Sequence, residues 1–347
     1  MAKIAVAIEP VMTRRVNGTA VRWPARRVLA HGDGWTVSDV VCDAGPHDRR
    51  FEEQFSDVCI AIIMAGSFQY RSSAGRELMT PGSLLLGNAG QHYECGHEHG
   101  VGDRCISFSY EQRYFEALAD EAGVQGRRAR FSKLRVPPVR ELSSLVVRAC
   151  VGLAESDVTA PDGQRSTCAG DQARLARTSP RHASSSYAGI TNWEEIGIEL
   201  VGRAVDSASA SRLNRGSLPA AEARVTRIIR KIESHPDSDH GLVPLAREAK
   251  LSRYHFLRVF HQLTGLTPHQ YVLRTRLRWA ATRLLLEPRH VLDIALDSGF
   301  GDVSNFNHAF RAEFGISPRS YRRSARRDSV RDSEWFLECD KHPGAWR

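Results

Sequence analysis

LAREAKLSRYHFLRVFHQLTGLTPHQYV, residues 245–272, and SGFGDVSNFNHAFRAEFGISPRSYRR, residues 298–323, are two copies of one pattern. At a shift of 50, Phe256 meets Phe306, Phe260 meets Phe310, Gly265 meets Gly315, Pro268 meets Pro318 and Tyr271 meets Tyr321. Upstream the shift is 49, pairing Leu242 with Val291, Leu245 with Ile294 and Ala246 with Ala295. The one-residue change falls between Leu251 and Ser252 in the first copy and between Phe300 and Asp302 in the second. A length change is cheapest in a turn, so each copy is predicted to be helix, turn, helix.

The second helix of each copy has two faces. Phe256, Val259, Phe260 and Leu263 lie at i, i+3, i+4 and i+7, a stripe that must be buried, and Phe306, Ala309, Phe310 and Phe314 repeat it. On the other face stand Tyr254, Leu257, Arg258 and His261, then Ser304, Asn307, His308 and Arg311. These are polar and basic side chains able to bond base edges or phosphates, with Leu257 the apolar exception. Gly265 and Gly315 are predicted left-handed C-caps. Thr267-Pro268 and Ser317-Pro318 then restart helices with a hydroxyl cap and proline in the first turn. The helix from Pro268 to about Glu287 is expected to be roughly 30 Å long, against about 34 Å between successive major-groove faces of B-DNA. Lys250 occupies the turn position held by Gly299 in the second copy. A lysine forced left-handed there costs about 1 kcal/mol or more.

These residues resemble the AraC/XylS family of transcription regulators over about 220–326. The resemblance implies two helix-turn-helix subdomains joined by a long helix, with Tyr254, Leu257, Arg258, His261, Ser304, Asn307, His308 and Arg311 as DNA contacts. It implies double-stranded DNA and RNA polymerase as partners. Regulators of this kind often carry a cupin-like β-barrel that senses a ligand and helps to dimerise. Residues 28–135 look similar to one, with short apolar runs at Trp35–Val41, Val58–Met64, Ser83–Leu86 and Cys105–Tyr110 between turn residues. The expected fold class is therefore α+β: an N-terminal cupin-like barrel with helices and a C-terminal all-α double helix-turn-helix.

The expected organisation is an extension at 1–27, a sensor at 28–135, helices and a mobile linker at 136–217, the DNA-binding domain at 220–326 and a tail at 327–347. Helical spacing is evident at 139–154 (Leu142, Leu145, Val146, Cys150, Leu153) and Asn192–Ala208. Those helices either complete the core or form a homodimer interface. Polar stretches at 155–189 and 207–217 are expected to be a loop and the interdomain linker. The tail could be a short helix or disordered.

Glu94-Cys95-Gly96-His97-Glu98-His99, followed by Cys105, is the other notable cluster. In an extended strand Cys95, His97 and His99 share a face, and Cys105 approaches if the chain turns at 100–103. Cys95, His97, His99 and Cys105 are thus candidate ligands for zinc or another transition metal. The alternatives are a polar loop with one buried thiol, or a redox pair of Cys95 and Cys105.

Composition fits a globular chain: 347 residues, 41% hydrophobic, 25% charged and net charge +8. Residues 221–327 hold 19 Lys+Arg against 10 Asp+Glu, so the positive excess is confined there and favours a polyanionic partner. Seven scattered cysteines argue against a disulfide framework. With no secretion signal and no apolar run of bilayer length, a cytoplasmic protein without membrane contact is expected. No catalytic residue is assigned. A metal-dependent oxygenase would need two His and a carboxylate around an open metal, whereas the Cys-rich spacing favours a closed site. The Pro-Cys-His-Arg nucleophile of DNA-repair methyltransferases is missing from the sequence. An architectural DNA-binding protein is the remaining alternative. A small-molecule effector or a metal would be the signal.

Overall fold

The computed structural model describes residues 24–48, 50–97, 102–122, 130–159, 191–208 and 219–324. Residues 1–23 of the expected extension, most of the 155–189 loop, the 207–217 linker apart from its first residues, the tail and His99 lie outside them, while the extension's last residues, from Ala25, belong to the first strand.

Among the described residues the first half is built on ten antiparallel strands: β1 Ala25–Gly32, β2 Trp35–Cys42, β3 Phe51–Gln54, β4 Val58–Gly66, β5 Phe68–Ser72, β6 Gly75–Met79, β7 Leu84–Gly87, β8 His92–Gly96, β9 Asp103–Tyr110 and β10 Arg135–Val136. They form a six-stranded sheet, β1-β2-β9-β4-β7-β10, and a four-stranded sheet, β3-β8-β5-β6. Strict alternation on the six-stranded sheet decides what each face covers. Cys59, Ala61 and Ile63 of β4, with Val40, Leu85 and Cys105, pack with Phe51, Phe68, Tyr70 and Cys95 of the four-stranded sheet. Ile60, Ile62, Leu84, Ile106 and Phe108 point the other way, into a helical layer. That layer is α1 Gln112–Glu121, α2 Ser143–Thr159 and α3 Trp193–Ala208. The first half is therefore a three-layer α+β unit.

All four expected apolar runs are strands, β2, β4, β7 and β9. The shorter, more polar strands of the second sheet, such as β3 (FEEQ) and β8 (HYECG), carry too few apolar residues to show an alternation. Helix α1 lies inside the region expected to be strand-rich, and α2 continues to Thr159, past the expected loop start at 155.

The second half is helical: α4 Pro219–Ser234, α5 Leu242–Glu248, α6 Arg253–Thr264, α7 Pro268–Leu286, α8 Val291–Asp297, α9 Val303–Phe314 and a last helix at 318–324. Ile228, Ile229 and Ile232 of α4 pack with Phe256, Phe260 and Tyr271 as one core. Leu277, Ala281, Ile294, Phe300, Phe306 and Phe310 form the second.

The halves are joined by a polar seam. Arg135 is 8% exposed, and its Nη1 donates to the carbonyl oxygens of Leu78 (2.9 Å) and Leu263 (2.5 Å), with Nε 3.4 Å from Glu77. Glu222 of α4 accepts from Gln69 and from Arg76 (3.0 Å). Arg230 donates to Ser67 Oγ at 3.2 Å and to its carbonyl at 3.3 Å. Helix α2 lies between layers: Leu145, Val146, Ala149 and Leu153 face the sheet, while Val147 enters the core of the second helical unit. Helix α2 is thus buried on two sides. Helix α3 leaves Ile198 44% exposed. Among the described residues, no helix is long and apolar enough to cross a membrane.

Candidate nucleic-acid interface

Helices α6 and α9 are the second helices of the two repeats, and local chemistry fixes their ends. Ser252 caps α6, its Oγ accepting from His255 N at 3.3 Å, and Asp302 caps α9, accepting from Asn305 N at 2.7 Å. Both end on a left-handed glycine, Gly265 (φ 77°) and Gly315 (φ 80°). The turns before them differ by the one residue that the sequence shift requires: α5 ends at Glu248 and α6 begins at Arg253, whereas α8 ends at Asp297 and α9 begins at Val303. Lys250 has φ 52° where Gly299 has φ 84°. The first turn thus carries a cost of about 1 kcal/mol that the second avoids.

Phe256, Val259, Phe260 and Leu263 are buried on α6, and Phe306 and Phe310 are fully buried on α9. Each buried phenylalanine contributes about 1.5–3 kcal/mol to holding its helix against the first helix of the repeat. The opposite faces are open. Tyr254 is 77% exposed; Arg258, His261, Ser304, Asn307, His308 and Arg311 are exposed, and Leu257 is half-buried. Leu257 is therefore partly covered by its own domain, which explains an apolar residue on that face. Neither Arg258 nor Arg311 forms an ion pair or hydrogen bond with another described side chain.

The spacer α7 is capped by a reciprocal pair: Thr267 Oγ1 accepts from Gln270 N at 3.3 Å, and Gln270 Oε1 accepts from Thr267 N at 3.1 Å. At about 1.5 Å per residue it is about 28 Å long. Its arginines are engaged in structure. Arg274 lies 3.3 Å from Glu313 and donates to the Pro138 carbonyl; Arg276 donates to the carbonyls of Pro236 (2.7 Å) and Ser238 (2.9 Å). Arg278 faces Glu233, and Arg283 bridges Glu287 and Asp297. A large part of the positive excess seen in the sequence therefore braces the spacer, and the cations free to meet a polyanion are fewer than the charge count suggests. Sequence reasoning missed His290 and Arg319, which line an open groove of about 980 Å³ beside Asn307, His308 and Arg311. The hydroxyl-proline start of the last helix was the available signal for Arg319.

Among the described residues, Cys95, His97 and Cys105 are not brought together as one ligand group. Strand β8 ends at Gly96, so His97 leaves the strand, and its Nε2 lies 2.5 Å from Asp103 Oδ1 with Cys42 close by. Cys95 and Cys105 stay within the layer between the sheets and do not join that group. Burial raises both thiols well above the usual range.

A family model described as a helix-turn-helix domain matches residues 245–324. The HTH-type transcriptional regulator MtrA of Neisseria gonorrhoeae is 31% identical over 29% of this chain and 34% of its own length. The probable transcription factor PqrA of Proteus vulgaris is 29% identical over 35% of this chain and 99% of its own length. Among solved structures, a transcriptional regulator from Chromobacterium violaceum described as having an AraC-type DNA-binding domain is 25% identical over 31% of this chain and 96% of its own, with a TM-score of 0.29. The chain thus spans about a third of the first of these relatives.

Proposed function

We propose that this chain, whose C-terminal part matches a helix-turn-helix domain model and is of the AraC type, is a sequence-specific DNA-binding transcription regulator. The observation that carries this reading is the pair of exposed polar faces, on α6 and α9, joined by one braced helix of about 28 Å. That length suits entry of both helices into successive major grooves on one side of a duplex. Tyr254, Leu257, Arg258 and His261 meet one half of the operator. Ser304, Asn307, His308 and Arg311 meet the other. Arg258 and Arg311 are the residues suited to a bidentate contact with guanine, and Asn307 to adenine. His290 and Arg319 border the second helix and suit phosphate contacts. The layered first half, tied to the helical half through Arg135, Glu222 and Arg230, is the part that receives a signal.

The test uses the full chain and an operator selected from genomic fragments. Arg258→Ala is expected to weaken operator binding by about 1–3 kcal/mol while changing binding to random DNA much less, measured by fluorescence anisotropy at fixed salt. An equal loss on both DNAs would move Arg258 from base reading to phosphate contact. Failure of the wild-type chain to prefer any fragment would remove the regulator reading.

A further inference from the structure

The ends of three strands bring a thiol, an imidazole and a carboxylate together at one edge of the layer between the sheets. Cys42 closes β2, Asp103 opens β9 directly opposite it in the ladder, and His97 follows β8 of the other sheet. Cys42 is 3% exposed, His97 5% and Asp103 6%. One donor atom from each lies within 4.8 Å of the other two, and His97 Nε2 is 2.5 Å from Asp103 Oδ1.

The surroundings hold the three in place. Gly66 has φ 77°, and a Cβ there would come within 2.2 Å of the Gly102 carbonyl oxygen and 2.7 Å of Asp103 Cα, so the β4–β9 approach requires glycine. Gly102 N donates to the Ala44 carbonyl at 2.9 Å, tying the entry to β9 to the chain leaving β2. The Phe68 ring packs 6.0 Å from the imidazole. Ser67, on the same rim, is gripped by Arg230 of α4, so the cluster sits where the sheets meet the helical domain.

We infer that Cys42, His97 and Asp103 form a binding site for a thiophilic divalent transition-metal ion of the zinc type. Sulfur, imidazole nitrogen and carboxylate oxygen together suit such an ion, and hard cations such as magnesium prefer all-oxygen sites. Burial strengthens the case. An ionised thiolate and carboxylate with a neutral imidazole carry two negative charges, which a divalent ion cancels, leaving no net charge in a dry site. Metal–ligand bonds of about 2.0–2.3 Å need donor atoms roughly 3.3–3.8 Å apart, which small side-chain rotations supply. On binding, Cys42 releases its proton to solvent. His97 Nε2 gives up its hydrogen bond to Asp103 Oδ1, and the single ring proton moves from Nε2 to Nδ1, so that the neutral imidazole presents its Nε2 lone pair. Three protein ligands leave a fourth position for a water molecule.

The experiment is a titration of the full-length, metal-free protein with Co2+ as spectroscopic probe and with Zn2+ in competition. One equivalent of cobalt is expected to bind, with a thiolate-to-cobalt charge-transfer band and tetrahedral d–d absorption, and zinc is expected to abolish both. Cys42→Ser should remove the charge-transfer band, and His97→Gln should weaken binding about a hundredfold or more, above the 10–100-fold cost of losing an outer-shell partner. Cys95→Ser and Cys105→Ser should leave the spectrum unchanged. Absence of one-equivalent binding by the wild type overturns the site. So does a charge-transfer band that survives Cys42→Ser or is lost in Cys95→Ser or Cys105→Ser. If Cys42→Ser does not fold, the wild-type band with His97→Gln decides alone. DNA binding is measured separately, so a negative metal result leaves the proposed function standing.

Discussion

Phe310→Ala is expected to destabilise the second helix-turn-helix by about 3–5 kcal/mol, the usual cost of removing a fully buried phenyl ring. Phe310 has no exposed surface, and its ring centroid lies 4.5 Å from Phe314, 5.3 Å from Tyr321 and 5.4 Å from Phe306. These contacts join α9 to the last helix, while Ile294, Ala295 and Leu277 of the same core join it to α8 and α7. The cavity cannot close without moving the recognition helix. Denaturant unfolding should therefore show a less stable transition, and affinity for a selected operator should fall although Phe310 faces away from the exposed surface. A loss below about 1 kcal/mol would mean that the aromatic cluster does not hold α9.

Arg135→Met is the second large effect. The guanidinium is buried and serves two carbonyl oxygens and a carboxylate from two elements: Leu78 and Glu77 of β6, and Leu263 of α6. Burial lowers its pKa, with Glu77 opposing that shift, yet the group remains a cation across the working pH range. Methionine fills much of the same volume but leaves those acceptors buried without their donor, at an expected cost of about 3–5 kcal/mol. Arg135→Lys keeps the charge but loses the fork, so it should recover only part of the loss. Differential scanning calorimetry of the three proteins separates the cases. Equal transition temperatures would show that the seam is not held by this side chain.

The helical half was legible because its signals are local and duplicated. A 3.6-residue stripe, one glycine cap and one hydroxyl-proline start define each hairpin, a one-residue change between the copies marks the turn, and Lys250 revealed its left-handed backbone only by comparison with Gly299. The candidate DNA-contact residues came from the same stripe, because a face that is not buried must be exposed. The sheets were half legible. Strands β2, β4, β7 and β9 show apolar runs, whereas β3, β6 and β8 are short and polar and gain their place from pairing with distant partners. The grouping of the described candidate ligands was hidden for the same reason. Cys95, His97 and Cys105 are close in sequence, but His97 leaves its strand and turns toward Asp103 and Cys42, the latter 55 positions earlier in the chain. Register between strands, not spacing along one of them, decides that grouping. The bracing role of Arg274, Arg276, Arg278 and Arg283 was equally hidden, since composition counts charges without showing their partners.

Hydroxyl-radical cleavage of an operator selected by the full chain tests the paired-helix reading most directly. Two protected tracts on one side of the duplex, about 10.5 base pairs apart, are expected, the more so at low salt, where phosphate contacts tighten. A single protected tract on every selected fragment, or even protection along any DNA offered, would contradict the placement of α6 and α9 in successive grooves.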